Sequence, residues 1–351
     1  MTREPFPAFA GFIETGFEQR FQGLLRQARQ QRSWHVIVAE PGSGKTKGIR
    51  DLVETTARGR GTLGGQNFPI LAVTAPKNDP KEQALGKYLQ LAMDVQVRGR
   101  WSELKYNTMY LLRQYGVECV VIDDAHDLSL QHLILLKELT DQLRLPPYDH
   151  ALGLCLVTAG RGATMPLKDV LDRPETMWMQ FRRRLDAVQP YCKIAGHTLE
   201  EVRAILLALE RIYQAVFPAL NLRKWTGAIY TWLTHPLLDP DNSGRVTMDH
   251  VMKLVNAALQ RTYAAGETDV SARTLEAVAE LLTLQRDTIR VLDAPQAQDA
   301  QLASAEEPPE KDSAFIPKRG GVREPDNPDS IQTRSRKRVG EDSREACSVR
   351  S

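Results

Sequence analysis

The segment AEPGSGKT, residues 39–46, constrains this chain more than any other stretch. It follows an apolar, β-branched run at 34–39 and opens a stretch of helical spacing that runs to about residue 57. Strand, glycine-rich turn and helix in that order make a phosphate-binding loop of the Walker A form, with Ala39 where the first glycine usually stands. Gly42 and Gly44 let the backbone curl so that its N–H groups point inward, and the helix start adds partial positive charge. Both properties suit a nucleotide's phosphates, with Glu40, Pro41, Gly42, Ser43, Gly44, Lys45, Thr46 and Lys47 as the cradle. Lys45 would contact the β- and γ-phosphates, and the Thr46 hydroxyl would complete a Mg²⁺ shell. ATP and Mg²⁺ are the expected cofactors.

Three more apolar runs lie further along, at 69–74, 118–123 and 152–158, with a weaker one at 188–195. Their hydrophobicity is continuous rather than alternating, which implies burial on both faces, as in a parallel sheet covered by helices. Helical segments between them predict right-handed crossovers, so this part reads as α/β with a parallel five-stranded sheet. After about residue 198 the strands stop. TLEEVRAILLALERIYQAVF opens with a capping box, Thr198 and Glu201, and further helical stretches lie near 220–235, 247–265 and 271–290. The expected organisation is an N-terminal helical segment (1–33), a nucleotide-binding α/β domain (34–197), a small all-helical lid domain (198–291) and a tail (292–351). The tail is rich in Pro, Ser and charge, a composition that predicts disorder.

With 46 Lys plus Arg against 44 Asp plus Glu, the chain is no polycation, so a nucleic-acid partner would need local basic clusters. Cys119, Cys155, Cys192 and Cys347 are far apart, which argues against a disulfide framework and fits a reducing cytoplasm. The first residues lack the basic stretch and apolar core of a signal peptide, and no run approaches the roughly 18–20 apolar residues of a membrane span. A soluble, intracellular protein is expected.

ECVVIDDAHDL places Asp123 and Asp124 at the end of an apolar strand, the edge at which open α/β sheets bind ligands. Asp123 would hold Mg²⁺, and Asp124 would polarise the attacking water as general base. The alternative is that they cap the next helix together with Asp127. Asp124 is one methylene shorter than the Glu usual there, so slow hydrolysis is expected. DPDNSGRVTMDH (239–250) imitates a calcium loop, but His250 stands where a bidentate Glu is needed, and it reads as a turn capping the next helix. His126 and His132 suit no zinc spacing.

AEPGSGKT, VTAPKND, an aromatic and basic stretch before VVIDDAH, then LVTAG, FRRR and a helical lid occur in the order of an AAA+ ATPase. More closely, the chain resembles the transposition regulators TniB, TnsC and MuB over residues 12–290. The resemblance implies an AAA+ P-loop core in the bacterial cytoplasm. It also implies that Thr158 is the sensor that contacts the γ-phosphate or the water. Arg182 and Arg183, from the run 182–184, match the arginine finger that reaches a neighbour's nucleotide. Arg245 matches the second sensor, an arginine at the start of a lid helix.

The same resemblance implies a homo-oligomer, a ring or helical filament on duplex DNA, that links a target-selection protein to a transposase. Its DNA-facing loops match APKNDPKEQ, with Lys77 and Lys81, and RGRWSELKYN, with Arg98, Arg100 and Lys105 around Trp101 and Tyr106. Contacts there would be to phosphates, with slight sequence preference. A solvated helix face remains open for this stretch. The tail cluster Arg334, Arg336, Lys337 and Arg338 could touch nucleic acid or tether a partner protein. An initiator- or loader-like ATPase that remodels DNA or protein complexes is the alternative function.

Overall fold

The computed structural model describes residues 5–7, 9, 11–56, 67–97 and 99–280. Arg98, Cys347 and the tail cluster lie outside the described residues. Five strands form one parallel sheet: β1 (Trp34–Ala39), β2 (Ile70–Thr74), β3 (Cys119–Asp123), β4 (Gly153–Ala159) and β5 (Tyr191–Ile194), in the order β2-β3-β4-β1-β5. Every residue of β1 and β3 is buried, which is why these strands read as unbroken apolar runs. Alternate side chains supply two cores. Ile37, Val121, Cys155 and Val157 pack beneath α1 (Gly16–Gln31) and α2 (Lys45–Thr55). Val36, Val38, Val120, Ile122, Leu154 and Leu156 meet α3 (Glu82–Ala92), α4 (Trp101–Gln114), α5 (Leu130–Leu143), α6 (Lys168–Leu171) and α7 (Thr176–Arg182) on the other face.

The weak run at 188–195 gives only the four-residue β5. Asp186 shortens it, because its carboxylate accepts the N–H groups of Val188 and Gln189 at 2.9 and 2.7 Å and turns the chain, leaving Val188 exposed.

Four helices, α8 (Leu199–Tyr213), α9 (Thr226–Leu233), α10 (Met248–Ala265) and α11 (Ala272–Ala279), surround a separate apolar core that includes Leu206, Trp232, Leu254 and Leu275. The Thr198–Glu201 box closes α8: Glu201 N–H donates to Thr198 Oγ1 at 3.2 Å, and Thr198 N–H donates to Glu201 Oε2 at 2.9 Å. The calcium-like string does cap α10, through its own Thr247, whose Oγ1 accepts His250 N–H at 3.4 Å. Asp239 closes its own turn, accepting from Ser243 Oγ at 2.9 Å and from Gly244 N–H at 2.8 Å. Ahead of α1, Phe6 stacks on Tyr213 at 5.4 Å and Phe9 N–H donates to the Tyr213 hydroxyl, so this segment packs on the helical core.

Strand register decides where the connecting loops gather. Val38 pairs with Thr158 and Ala39 with Ala159, while Thr74 pairs with Asp123. The loops after β1, β2, β3 and β4 therefore leave the sheet together at its carboxyl edge.

Candidate nucleotide site

The loop after β1 needs glycine at two positions. Gly42 and Gly44 have φ of 74° and 105°, the left-handed region where a Cβ is strained. Space is also closed to a side chain: a Cβ on Gly42 would lie 2.9 Å from Asp249 Cβ, and one on Gly44 would lie 2.5 Å from Glu18 Oε1. The Gly48 N–H donates to Gly44 O at 2.9 Å, so α2 starts directly from the loop.

Lys45 is buried at the first position of α2. Its ammonium donates to the carbonyls of Ala39 and Glu40 at 3.3 and 2.9 Å, which keeps it inside the curl of the loop. Burial lowers its pKa, opposed by the charges of Asp123, Asp124 and Glu40. Thr46 Oγ1 donates to Asp123 Oδ2 at 2.7 Å, so the loop hydroxyl and the β3 carboxylate meet at one point. Asp123 Oδ1 accepts Asp124 N–H at 3.0 Å, and Asp124 takes a left-handed backbone at φ 52°, ψ 37°. A non-glycine residue held there stores strain, a feature that clusters at functional positions. Thr158 is fully buried at the end of β4, and its hydroxyl has no partner among the described residues. The hydroxyl of Ser43 is likewise buried and unpaired.

These features fit a nucleotide and its metal. The loop offers N–H groups and an ammonium to an anion, and a buried hydroxyl awaits an acceptor or donor. Thr46 and Asp123 supply one hydroxyl and one carboxylate, the sparse set with which Mg²⁺ is held when phosphates and waters complete its shell. Glu40 is buried, and its carboxyl is pushed up chiefly by that burial, while Arg161 pulls it down. Pro41 is exposed, and Lys47 donates to Gly11 O at 3.3 Å.

Other expected site residues stand differently. Lys77 lies on the acids at the end of β3, 3.5 Å from Asp124 Oδ2 and 3.4 Å from Asp127 Oδ2, rather than free for DNA. Those carboxylates raise its pKa. Lys105 is turned inward and paired with Glu138 of α5, because α4 presents that position to its neighbour. Of the arginine run, Arg182 donates to Asp172 O and Arg184 pairs with Asp141 over the Trp34 ring. Arg183 is exposed, its N–H donates to Met179 O at 3.1 Å, and its side chain makes no hydrogen bond or ion pair among the described residues. Arg245 stands just ahead of α10. Its neighbour Val246 is bridged to His197 and buried in the helical core, so alternation turns Arg245 toward a groove of about 570 Å³ bounded by α1 and β5.

Lys81 and Arg100 are exposed caps at the starts of α3 and α4, without ion-pair partners among the described residues. Trp101 brings those starts together: its indole N–H donates to Glu82 and its ring packs so closely over Gly86 that a Cβ there would lie 2.3 Å away.

Glu18, which no sequence motif marks, abuts the loop from α1. It is buried against Gly44 and Gly48 with Oε2 unpaired, and burial, reinforced by Asp51, pushes its pKa up to about 8. The folded protein thus keeps this proton while the unfolded chain ionises near 4.5, so stability falls as pH rises from about 4.5 to about 8. Glu18→Gln removes that loss: little difference in melting temperature is expected at pH 5, and a rise of several degrees at pH 8. Equal shifts at both pH values would contradict a neutral Glu18.

Residues 28–164 match the family model described as AAA domain. No curated protein matches the chain. Among solved structures, Cdc6p from Pyrobaculum aerophilum superposes with a TM-score of 0.55 at 14% identity, covering 78% of this chain and 69% of that one. The Aeropyrum pernix ORC2 protein in its ADP form gives 0.52 at 12% identity, covering 80% and 73%. The Aeropyrum pernix ORC1 protein in complex with DNA gives 0.50 at 15%, covering 79% and 68%. Residues 28–164 are similar to an AAA domain, and the parallel sheet with a helical part beyond it is the AAA+ fold.

Proposed function

We propose that this protein is an ATP-dependent DNA-binding regulator of DNA transposition. In this reading it is an ATPase that oligomerises on duplex target DNA, as a ring or helical filament, and links a target-selection protein to the transposase. The observation that carries it is the continuity of one short segment. Residues 75–81 begin at Asp123, whose carbonyl accepts Ala75 N–H at 2.9 Å, pass Lys77 on Asp124, and end at Lys81 on the surface. DNA phosphates held by Lys81 and Arg100, at two helix starts that favour anions, would lie at one end of a segment whose other end touches the hydrolytic carboxylate.

In the nucleotide pocket, Lys45 and the loop N–H groups bind the β- and γ-phosphates, and Thr46 and Asp123 would hold Mg²⁺. When bound, the ion would neutralise charge on the phosphate oxygens. Asp124 accepts the proton of the water that attacks the γ-phosphorus as ADP departs, and the Thr158 hydroxyl orients that water or the γ-phosphate. A shorter carboxylate stands further from the water, which makes hydrolysis slow. Arg183 reaches the nucleotide of a neighbouring copy, so full activity requires assembly.

Lys77 gives this reading its test. Its ammonium holds Asp124 in an ion pair, so Lys77→Ala should raise hydrolysis without DNA by about 3–10-fold. Stimulation by duplex DNA should shrink in proportion. Phosphate release measured with and without plain duplex checks both, and unchanged rates would break the link. The likeness of fold to ORC1 in complex with DNA favours a second reading, an initiator- or loader-like ATPase. A regulator that grips phosphates responds to any duplex alike, whereas an initiator responds to a particular site.

A further inference from the structure

Arg161 lies three residues past Thr158, in the loop that leaves β4. Gly160 N–H donates to Ala39 O at 3.1 Å, which extends the β1–β4 pairing by one step and sets Arg161 beside Glu40 of the phosphate loop. One guanidinium nitrogen, Nη2, donates at 3.0 Å to the carbonyl of Leu238, in the turn ahead of α10. The loop is seated firmly there. Arg161 N–H is taken by Thr164 Oγ1 at 2.8 Å, and Gly162, at φ 54°, lies so close to the Asp241 carboxylate that a Cβ would come within 2.8 Å. Both Glu40 on the loop and His250 in the first turn of α10 feel the Arg161 charge.

The helical part supplies no comparable cation at this place among the described residues. Arg245 lines the groove between α1 and β5. At the start of α10 it is Asp249 that meets the loop, its N–H donating to Gly42 O at 2.9 Å, and the Lys253 ammonium is paired with the Asp249 carboxylate at 2.6 Å.

We propose that Arg161 is the cis cation of the nucleotide site and that it ties the terminal phosphate to the helical part of the fold. The inference rests on the nucleotide reading above. A guanidinium carries five N–H donors in a rigid fork, and here its bond across to the helical part is to a neutral carbonyl. Its remaining donors can take phosphate oxygens, and such charge-assisted bonds are stronger than the bond to Leu238. Because the loop continues from the strand end that carries Thr158, its cation serves the γ-phosphate more than the β. Bound ATP then joins β4 to the turn at 238–241 through one side chain, and ADP does not.

The test is calorimetric binding of a non-hydrolysable ATP analogue and of ADP, each with Mg²⁺, to the full chain. The wild type is expected to prefer the analogue. Arg161→Ala should lose about 10–100-fold in affinity for the analogue and change little for ADP, the loss expected for one hydrogen-bonded charge. Arg161→Lys, which keeps the charge without the fork, should fall between the two and guards against a misfolded alanine variant. Equal losses for both nucleotides would show a merely structural role and overturn the inference, as would no loss or a wild type indifferent to the third phosphate. A wild type that binds neither nucleotide would overturn the nucleotide reading itself.

Discussion

Lys45→Ala is expected to abolish ATP binding and, with it, every DNA-dependent assembly. The ammonium is buried and held by two carbonyls inside the loop, so no neighbouring cation can take its place without moving the backbone. Deleting one member of a desolvated charge pair typically costs about 3–5 kcal/mol, or roughly 10²–10⁴ in affinity. Calorimetry on the variant measures it directly. The same burial lowers the Lys45 pKa, so the affinity of the wild type should fall at a less alkaline pH than an exposed lysine would give. Unchanged ATP affinity in Lys45→Ala would remove the phosphate-loop reading.

The second large effect concerns DNA. Replacing Lys81 and Arg100 together by alanine removes two exposed cations from adjacent helix starts and leaves the nucleotide pocket intact. Each lost phosphate contact should lower the salt dependence of binding by about one unit of slope, alike on all sequences. Repeated in every subunit of an oligomer, the loss should prevent assembly on duplex DNA while each monomer still binds ATP. Trp101→Ala is expected to act differently. It loosens the packing of α3 on α4 around Gly86, so it should lower thermal stability more than it lowers the salt slope. Normal duplex binding by the double variant at moderate salt would show that DNA lies elsewhere.

What could be read from the chain alone was what local pattern dictates. Unbroken apolar runs gave the buried parallel strands, since β1 and β3 are covered on both faces. Thr198 and Glu201 marked the start of α8 because a capping box spans only four residues. The fifth strand was harder, because the turn made by Asp186 takes the start of its run and leaves four residues, 191–194, to pair. Long-range pairing was not legible. Lys77 and Lys105 look alike in sequence, both basic and close to aromatic or turn residues, yet one meets Asp124 and the other Glu138. Glu18 and Arg161 lie 26 residues before and 116 residues after Gly44 and Lys45 respectively, and only the packing of α1 and the β4 loop brings them to the phosphate loop. Arg245 was placed by its motif, but its seat beside the groove between α1 and β5 depends on the distant bridge between Val246 and His197.

Nucleotide occupancy and DNA contact are, on the proposed function, one event in this molecule, joined through residues 75–81. Imaging the protein by electron microscopy on plain duplex DNA, with and without a non-hydrolysable ATP analogue, tests that coupling most directly. Rings or filaments are expected only when duplex and analogue are both present, and neither Lys45→Ala nor the Lys81 and Arg100 double variant should form them. Assembly on DNA without nucleotide, or monomers under all conditions, would contradict it.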